Sequence, residues 1–177
     1  MVCLSAGVAA ELAGVKLDDS ATINGTQLVL NGAGLRTKFG AKVYVAALYV
    51  TARTSDAEKI INAEAPRRMR LVMKRDVAAD KMWGAFREGI EAHYGGEELK
   101  ALRLKMEKME RAFNEMGKTA EGDVLDFDFA ADGTTTFSVN SKVKETIPGK
   151  DLSTALLKVW LGAKPAQDAL KKDLLKG

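Results

Sequence analysis

Apolar positions recur along this chain with periods of two and of three to four, and their order predicts strands, then helices, then strands, then helices. Val15–Asp18 and Thr26–Gly34 predict two opening strands, with Asn24-Gly25 as the turn signal between them. In the second, a period of two puts Leu28 and Leu30 on one face with Gly32, Gly34 and Arg36. Lys42–Thr51, rich in Val, Tyr and Leu, predicts a buried strand reached through a short loop at Lys38-Phe39-Gly40. Ser55–Ala63 predicts a short helix, with Thr54 or Ser55 as N-cap and Glu58 completing a capping box. Arg67–Lys74 sets Met69, Leu71 and Met73 against Arg68, Arg70, Val72 and Lys74, the pattern of a strand with one wet side.

Two helices follow. Ala79–Tyr94 carries Met82, Trp83, Phe86 and Ile90 at helical spacing and ends at Gly95-Gly96. Glu97–Met116 places Leu99, Leu102, Met106, Met109, Phe113 and Met116 at steps of three and four, the strongest periodic signal in the chain. Such a stripe most often faces a core, and its methionines also suit an adaptable ligand wall. Asp123–Ala130 and Thr134–Val139 predict a hairpin across Ala131-Asp132-Gly133, and Lys142–Ile147 a further strand. Leu152–Leu161 and Ala166–Leu175 predict closing helices separated by Gly162 and Pro165. Because strands and helices come in runs, the expected class is α+β: an antiparallel sheet with helices mainly on one side.

The 177 residues suit one domain, expected over residues 11–177, with no linker or repeat. A net charge of +3 is mild, and Glu107-Lys108-Met109-Glu110-Arg111 shows how the basic residues interleave with acids. With sparse aromatics, this gives nucleic-acid binding little support. No stretch approaches the roughly 20 apolar residues of a membrane-spanning helix. Cys3 and His93 are the only residues of their kinds, which excludes an internal disulfide and a Cys/His zinc site, and no metal is expected. Met1–Ala10 is small and apolar before Glu11, with Val8 and Ala10 where a signal peptidase would cut. Residues 1–10 therefore read either as a signal-peptide remnant, implying a periplasmic or secreted protein, or as a plain N-terminal strand.

Most catalytic templates fail. Gly32-Ala33-Gly34 lacks the third glycine of a dinucleotide loop, and there is neither a Walker sequence nor a Gly-x-Ser-x-Gly elbow. His93 falls at a helix end, where the dipole favours it. Asp126 and Asp128, opposite Phe127, read as a solvated strand face rather than an acid/base pair. Arg36 is harder to dismiss. A guanidinium on an apolar face keeps its charge and needs a partner: an internal acid, solvent at the strand end, or the carboxylate of a ligand.

Asn31-Gly32-Ala33-Gly34-Leu35-Arg36, followed by Lys42-Val43-Tyr44-Val45-Ala46-Ala47-Leu48-Tyr49-Val50, resembles the opening strands of chalcone isomerase-like proteins. Ala155-Leu156-Leu157-Lys158-Val159-Trp160-Leu161-Gly162, followed by Pro165, is similar to the closing helices of the family's bacterial members. The resemblance covers roughly Val15 to Gly177 and implies an open-faced β-sandwich, a large antiparallel sheet under a layer of helices with a ligand cleft between. In the plant enzymes of that family the arginine, here Arg36, is central to an intramolecular lyase reaction, aided by a threonine, a tyrosine, an asparagine and a late threonine. Those helpers fall on Tyr44, near Val77, near Gly84 and near Val159, so the resemblance implies a relative that has lost most of the catalytic set. The fatty-acid-binding branch fits better. There an arginine and a tyrosine hold a carboxylate, roles that fall to Arg36 and Tyr44, with Tyr49 as a third candidate and Met82, Phe86, Met106 and Met109 as an apolar wall. The expected ligand is a small apolar or amphipathic anion, with no cofactor. Three alternatives stand beside it: residual lyase activity through Arg36, haem binding through His93 as in some eukaryotic relatives, and a structural protein with a closed cleft.

Overall fold

The computed structural model describes residues 7–177. Its elements in chain order are β1 (Val8–Leu12), β2 (Val15–Asp18), β3 (Ser20–Ile23), β4 (Thr26–Lys38), β5 (Ala41–Val50), α1 (Ala57–Ile61), β6 (Arg67–Met73), β7 (Val77–Ala78), α2 (Ala79–Glu91), α3 (Gly96–Met116), β8 (Lys118–Thr119), β9 (Val124–Phe129), β10 (Thr135–Val139), β11 (Lys142–Ile147), α4 (Lys150–Leu161) and α5 (Asp168–Leu174). Residues 1–6, which hold most of the segment read as a signal remnant, lie outside the described residues. Seven strands form one antiparallel sheet in the order β11-β10-β9-β6-β5-β4-β3, flanked by the ribbons β1-β2 and β7-β8.

Alternation along the strands gives the sheet two apolar faces. On one, Ala46, Leu48, Leu71, Leu125 and Phe127 pack against the helices, which contribute Phe86, Phe113, Leu156 and Trp160. Phe86 meets Phe127 edge-on at 5.7 Å and Trp160 at 5.5 Å, while Phe113 stacks on Phe137 at 4.7 Å. On the other face, Leu17, Ile23, Leu28, Val45, Ala47 and Tyr49 form a smaller core with Leu12 and Val15 of the β1-β2 ribbon packed against it. Further along that face, Arg68 and Arg70 each fork onto an aspartate across the strand pair. Arg68 donates to both Asp128 oxygens at 2.6 and 2.8 Å, and Arg70 to both Asp126 oxygens at 2.8 and 2.9 Å. The expectation of a solvated acidic face is corrected here: Asp126 is 4% exposed and paired.

Two irregularities decide where the polar side chains of β4 point. Leu30 pairs with Tyr49, but the next partnered residue is Gly32 with Leu48, which leaves Asn31 as a bulge. Every side chain beyond it changes face. Leu28 and Leu30 stay in the small core, joined after the bulge by Ala33 and Leu35, while Gly32, Gly34 and Arg36 turn to the helical side. The expectation that Arg36 shares a face with Leu28 and Leu30 is therefore corrected. Asn31 is 4% exposed and tied on both sides: its Nδ2 donates to Leu174 O at 2.7 Å and its Oδ1 accepts from Thr54 N at 2.9 Å. The second irregularity skips Val43, between the Arg36–Tyr44 and Thr37–Lys42 pairs. At α1 the N-cap is Asp56 instead of Thr54 or Ser55; its Oδ1 accepts from Glu58 N and Lys59 N at 3.0 and 3.3 Å.

Tyr49 sits in the small core with its hydroxyl donating to Asp18 O at 2.9 Å. Burial, the largest influence, pushes its pKa up from 10.0 to about 12. In the unfolded chain Tyr49 ionises near 10, so its contribution to stability is intact below that pH and is lost as pH rises from about 10 to about 12. Denaturation followed across this range should show the wild type losing stability more steeply than Tyr49→Phe. Parallel loss in the two proteins would contradict this placement.

Candidate functional site

A cavity of about 710 Å³ lies where the β4-β5 hairpin, the β6-β7 connection, α2 and the α4-α5 connection converge. Val43, Val77, Met82, Phe86 and Val159 give it an apolar wall, with Arg36 and Tyr44 set into the sheet side. Its rim carries Lys38, Arg75, Lys81 and Lys164 against two carboxylates, Asp76 and Glu88. That volume and mixture of surfaces lie within the usual range for small-molecule sites.

The polar part is built around Gln167 at the start of α5, whose Oε1 reaches back to accept from Thr37 N–H at 3.0 Å. The same oxygen accepts from Arg36 Nη1 at 3.3 Å, and Arg36 also donates to Thr37 O at 2.9 Å. Arg36 is thus held by neutral acceptors. Among the described residues no carboxylate forms an ion pair with it.

Tyr44 lies directly across the strand pair from Arg36. It is 4% exposed, and its hydroxyl accepts from Trp160 Nε1 at 3.0 Å. Burial raises its pKa, while the Trp160 hydrogen bond and the Arg36 charge pull the other way. The phenol is therefore protonated at neutral pH, and with its oxygen accepting from the indole, its own hydrogen remains available to donate. A guanidinium and a phenol side by side, both donors, suit one planar anion.

Of the residues singled out in the sequence, Arg36, Tyr44, Met82 and Phe86 come together around this cavity. The other three do not. Tyr49 projects to the opposite face of the sheet, Met109 is fully buried in the helical core, and Met106 borders a separate groove between α2 and α3 beside Trp83 and Leu99. The long stripe of α3 is core, because α3 packs over the far strands, where Phe113 meets Phe137. His93 is engaged at both ring nitrogens: Nδ1 lies 2.8 Å from Gly89 O, and Nε2 accepts from Lys164 N at 3.0 Å. This arrangement leaves no nitrogen open to a haem iron, so His93 does not fit that role. Gln167 and Trp160, which hold the two donors, carry no signal in sequence that links them to Arg36 and Tyr44. Each acts from more than 110 residues away.

An antiparallel sheet with helices over one face, and a part-apolar, part-cationic cavity under their edge, makes an open-faced β-sandwich. The match to the chalcone isomerase-like family spans residues 9–176, and the chain belongs to that family. Among solved structures it is similar to a fatty-acid binding protein of Arabidopsis thaliana, with a TM-score of 0.71, 15% identity and 92% of each chain covered. At that identity the likeness shows the fold alone. No curated protein sequence matches.

Proposed function

We propose that this protein binds a fatty acid or a similar apolar anion in the cavity and does not transform it, with the carboxylate held by Arg36 and Tyr44. The observation that carries the reading is the state of Arg36: half-buried, beside the cavity, held by Gln167 and Thr37 O, and without a carboxylate of the protein's own among the described residues. Charge on such a group calls for an anionic partner. The hydrocarbon of Val77, Met82, Phe86 and Val159 would take the chain of the ligand. Val77 and Val159 also mark where two helper groups of the plant enzymes fall, so the wall is apolar where a lyase would place hydroxyls. The similar Arabidopsis protein is named for fatty-acid binding, which agrees with the reading. Residues 1–10 as a signal remnant would make the compartment periplasmic or secreted, whereas the pairing of Val8–Leu12 with β2 favours the plain N-terminal strand.

The test is a titration with hexadecanoate followed by tryptophan emission, since Trp160 touches Tyr44. A saturable change is expected, and a flat response at solubility-limited concentrations would count against the reading. Tyr44→Phe should weaken binding roughly 3- to 10-fold by removing one hydrogen bond. It should also lower stability by about 1–2 kcal/mol, because Trp160 Nε1 loses its acceptor. Affinity unchanged in Tyr44→Phe would remove the phenol from the site.

A further inference from the structure

The turn between β4 and β5 carries, at the edge of the cavity, a residue that the core does not explain. Phe39 is 98% exposed, whereas the other five phenylalanines of the chain are buried. It also occupies a left-handed backbone conformation, φ 51°, where Asn or Gly would sit without strain. A bulky aromatic that is strained and makes no core contact points to a use outside the folded chain.

Its surroundings indicate what that use is. Exposed Lys38 and Lys42 flank it, with Lys38 Nζ 5.8 Å from the ring centre. Arg75, Lys81 and Lys164 continue the cationic rim around the cavity mouth, and among the described residues none of these five forms an ion pair. Of the two rim acids, Asp76 already binds Lys118 Nζ and the Glu121 N–H, which leaves Glu88 as the opposing charge. One aromatic on a narrow tip is far smaller than the apolar area of a stable protein interface. A bilayer interface, by contrast, takes a single ring to headgroup depth and gathers cations over anionic lipid.

We infer that this rim docks on an anionic lipid bilayer, with Phe39 entering the boundary between headgroups and acyl chains and the lysines and arginines lying against the phosphates. The cavity opens at the same rim, so a docked protein would present its mouth to the membrane. That purpose rests on the ligand reading above; the docking does not.

Sedimentation of the full chain with vesicles tests it. Binding is expected to phosphatidylcholine vesicles containing about a third phosphatidylglycerol, to weaken as salt is raised, and to be far weaker on phosphatidylcholine alone. Phe39→Asn keeps the turn, since Asn tolerates positive φ, and should dock roughly ten-fold more weakly. Phe39→Trp supplies a direct signal. Trp83 and Trp160 are buried, so a blue shift on adding anionic vesicles reports position 39. Equal sedimentation of wild type and Phe39→Asn, equal binding to neutral and anionic vesicles, or an unmoved Phe39→Trp spectrum would each overturn the proposal. Arg36→Ala separates the two readings, because it should lose hexadecanoate and still dock.

Discussion

Gly32→Ala is expected to lower the free energy of unfolding by about 3 kcal/mol, an unusually large effect for adding one methyl group. Helix α5 crosses β4 so closely that a Cβ at Gly32 would meet backbone: the Leu174 carbonyl oxygen at 2.6 Å, its carbon at 2.8 Å, and Asp173 O nearer still. Backbone cannot rotate away as a side chain can, so the helix itself must shift. Asn31 fixes that helix end through Leu174 O, so the shift would also strain the bulge that turns Arg36 toward the cavity. At the other end of α5, Gln167 would draw back from Thr37 and Arg36. Denaturant unfolding checks the stability term, and hexadecanoate titration of the folded variant should show weakened binding. Gly84→Ala is the control, because nothing lies within 4 Å of the added atom and alanine favours a helix interior. Gly84→Ala should be neutral or stabilising. A Gly32→Ala variant as stable as the wild type would contradict the close approach of α5.

Arg36 carries the second large effect. Arg36→Ala should weaken hexadecanoate binding by roughly 30- to 100-fold, the value of a charge-assisted pair of hydrogen bonds, with little change in stability. Gln167→Glu asks the sharper question. The glutamate keeps an oxygen for Thr37 N–H and places a carboxylate beside Arg36 Nη1, where Oε1 now lies 3.3 Å away. The guanidinium would then be paired internally, and an incoming anion would have to displace that pair. Binding should fall at least about ten-fold while the fold stays as stable as before or gains slightly. A removed cation and an added anion, at residues 131 apart in the chain, are thus expected to produce the same defect. If Gln167→Glu binds hexadecanoate normally, the head group does not sit at Arg36.

Much of the architecture was legible because runs of one period are local. The alternation of Arg67–Lys74 and the stripe of Glu97–Met116 each named an element, and their order named an α+β sheet with helices on one side. The face of Arg36 was misassigned because a constant period was carried through Asn31. The chain does hold a warning: Leu28 and Leu30 are in phase with each other, while Ala33 and Leu35 are apolar one residue out of that phase. Tyr44 and Tyr49 are separated by an odd number, so a regular strand places them on opposite faces, as β5 does. The cross-strand forks were readable as opposite charges at alternating positions, Arg68 and Arg70 against Asp126 and Asp128. Which helix lies over the cavity was not legible. Met82 on α2 lines it and Met109 on α3 does not, a difference set by long-range packing that helical periodicity does not record. The same holds for Gln167, an ordinary polar residue until α5 brings it to the Thr37 amide.

The most direct test of the central claim is to extract the purified protein under denaturing conditions and identify the released small molecules by mass spectrometry, comparing wild type with Arg36→Ala. The account predicts a carboxylic lipid released by the wild type and depleted in the variant. The same lipid released in equal amount by both proteins would contradict Arg36 as the group that holds it.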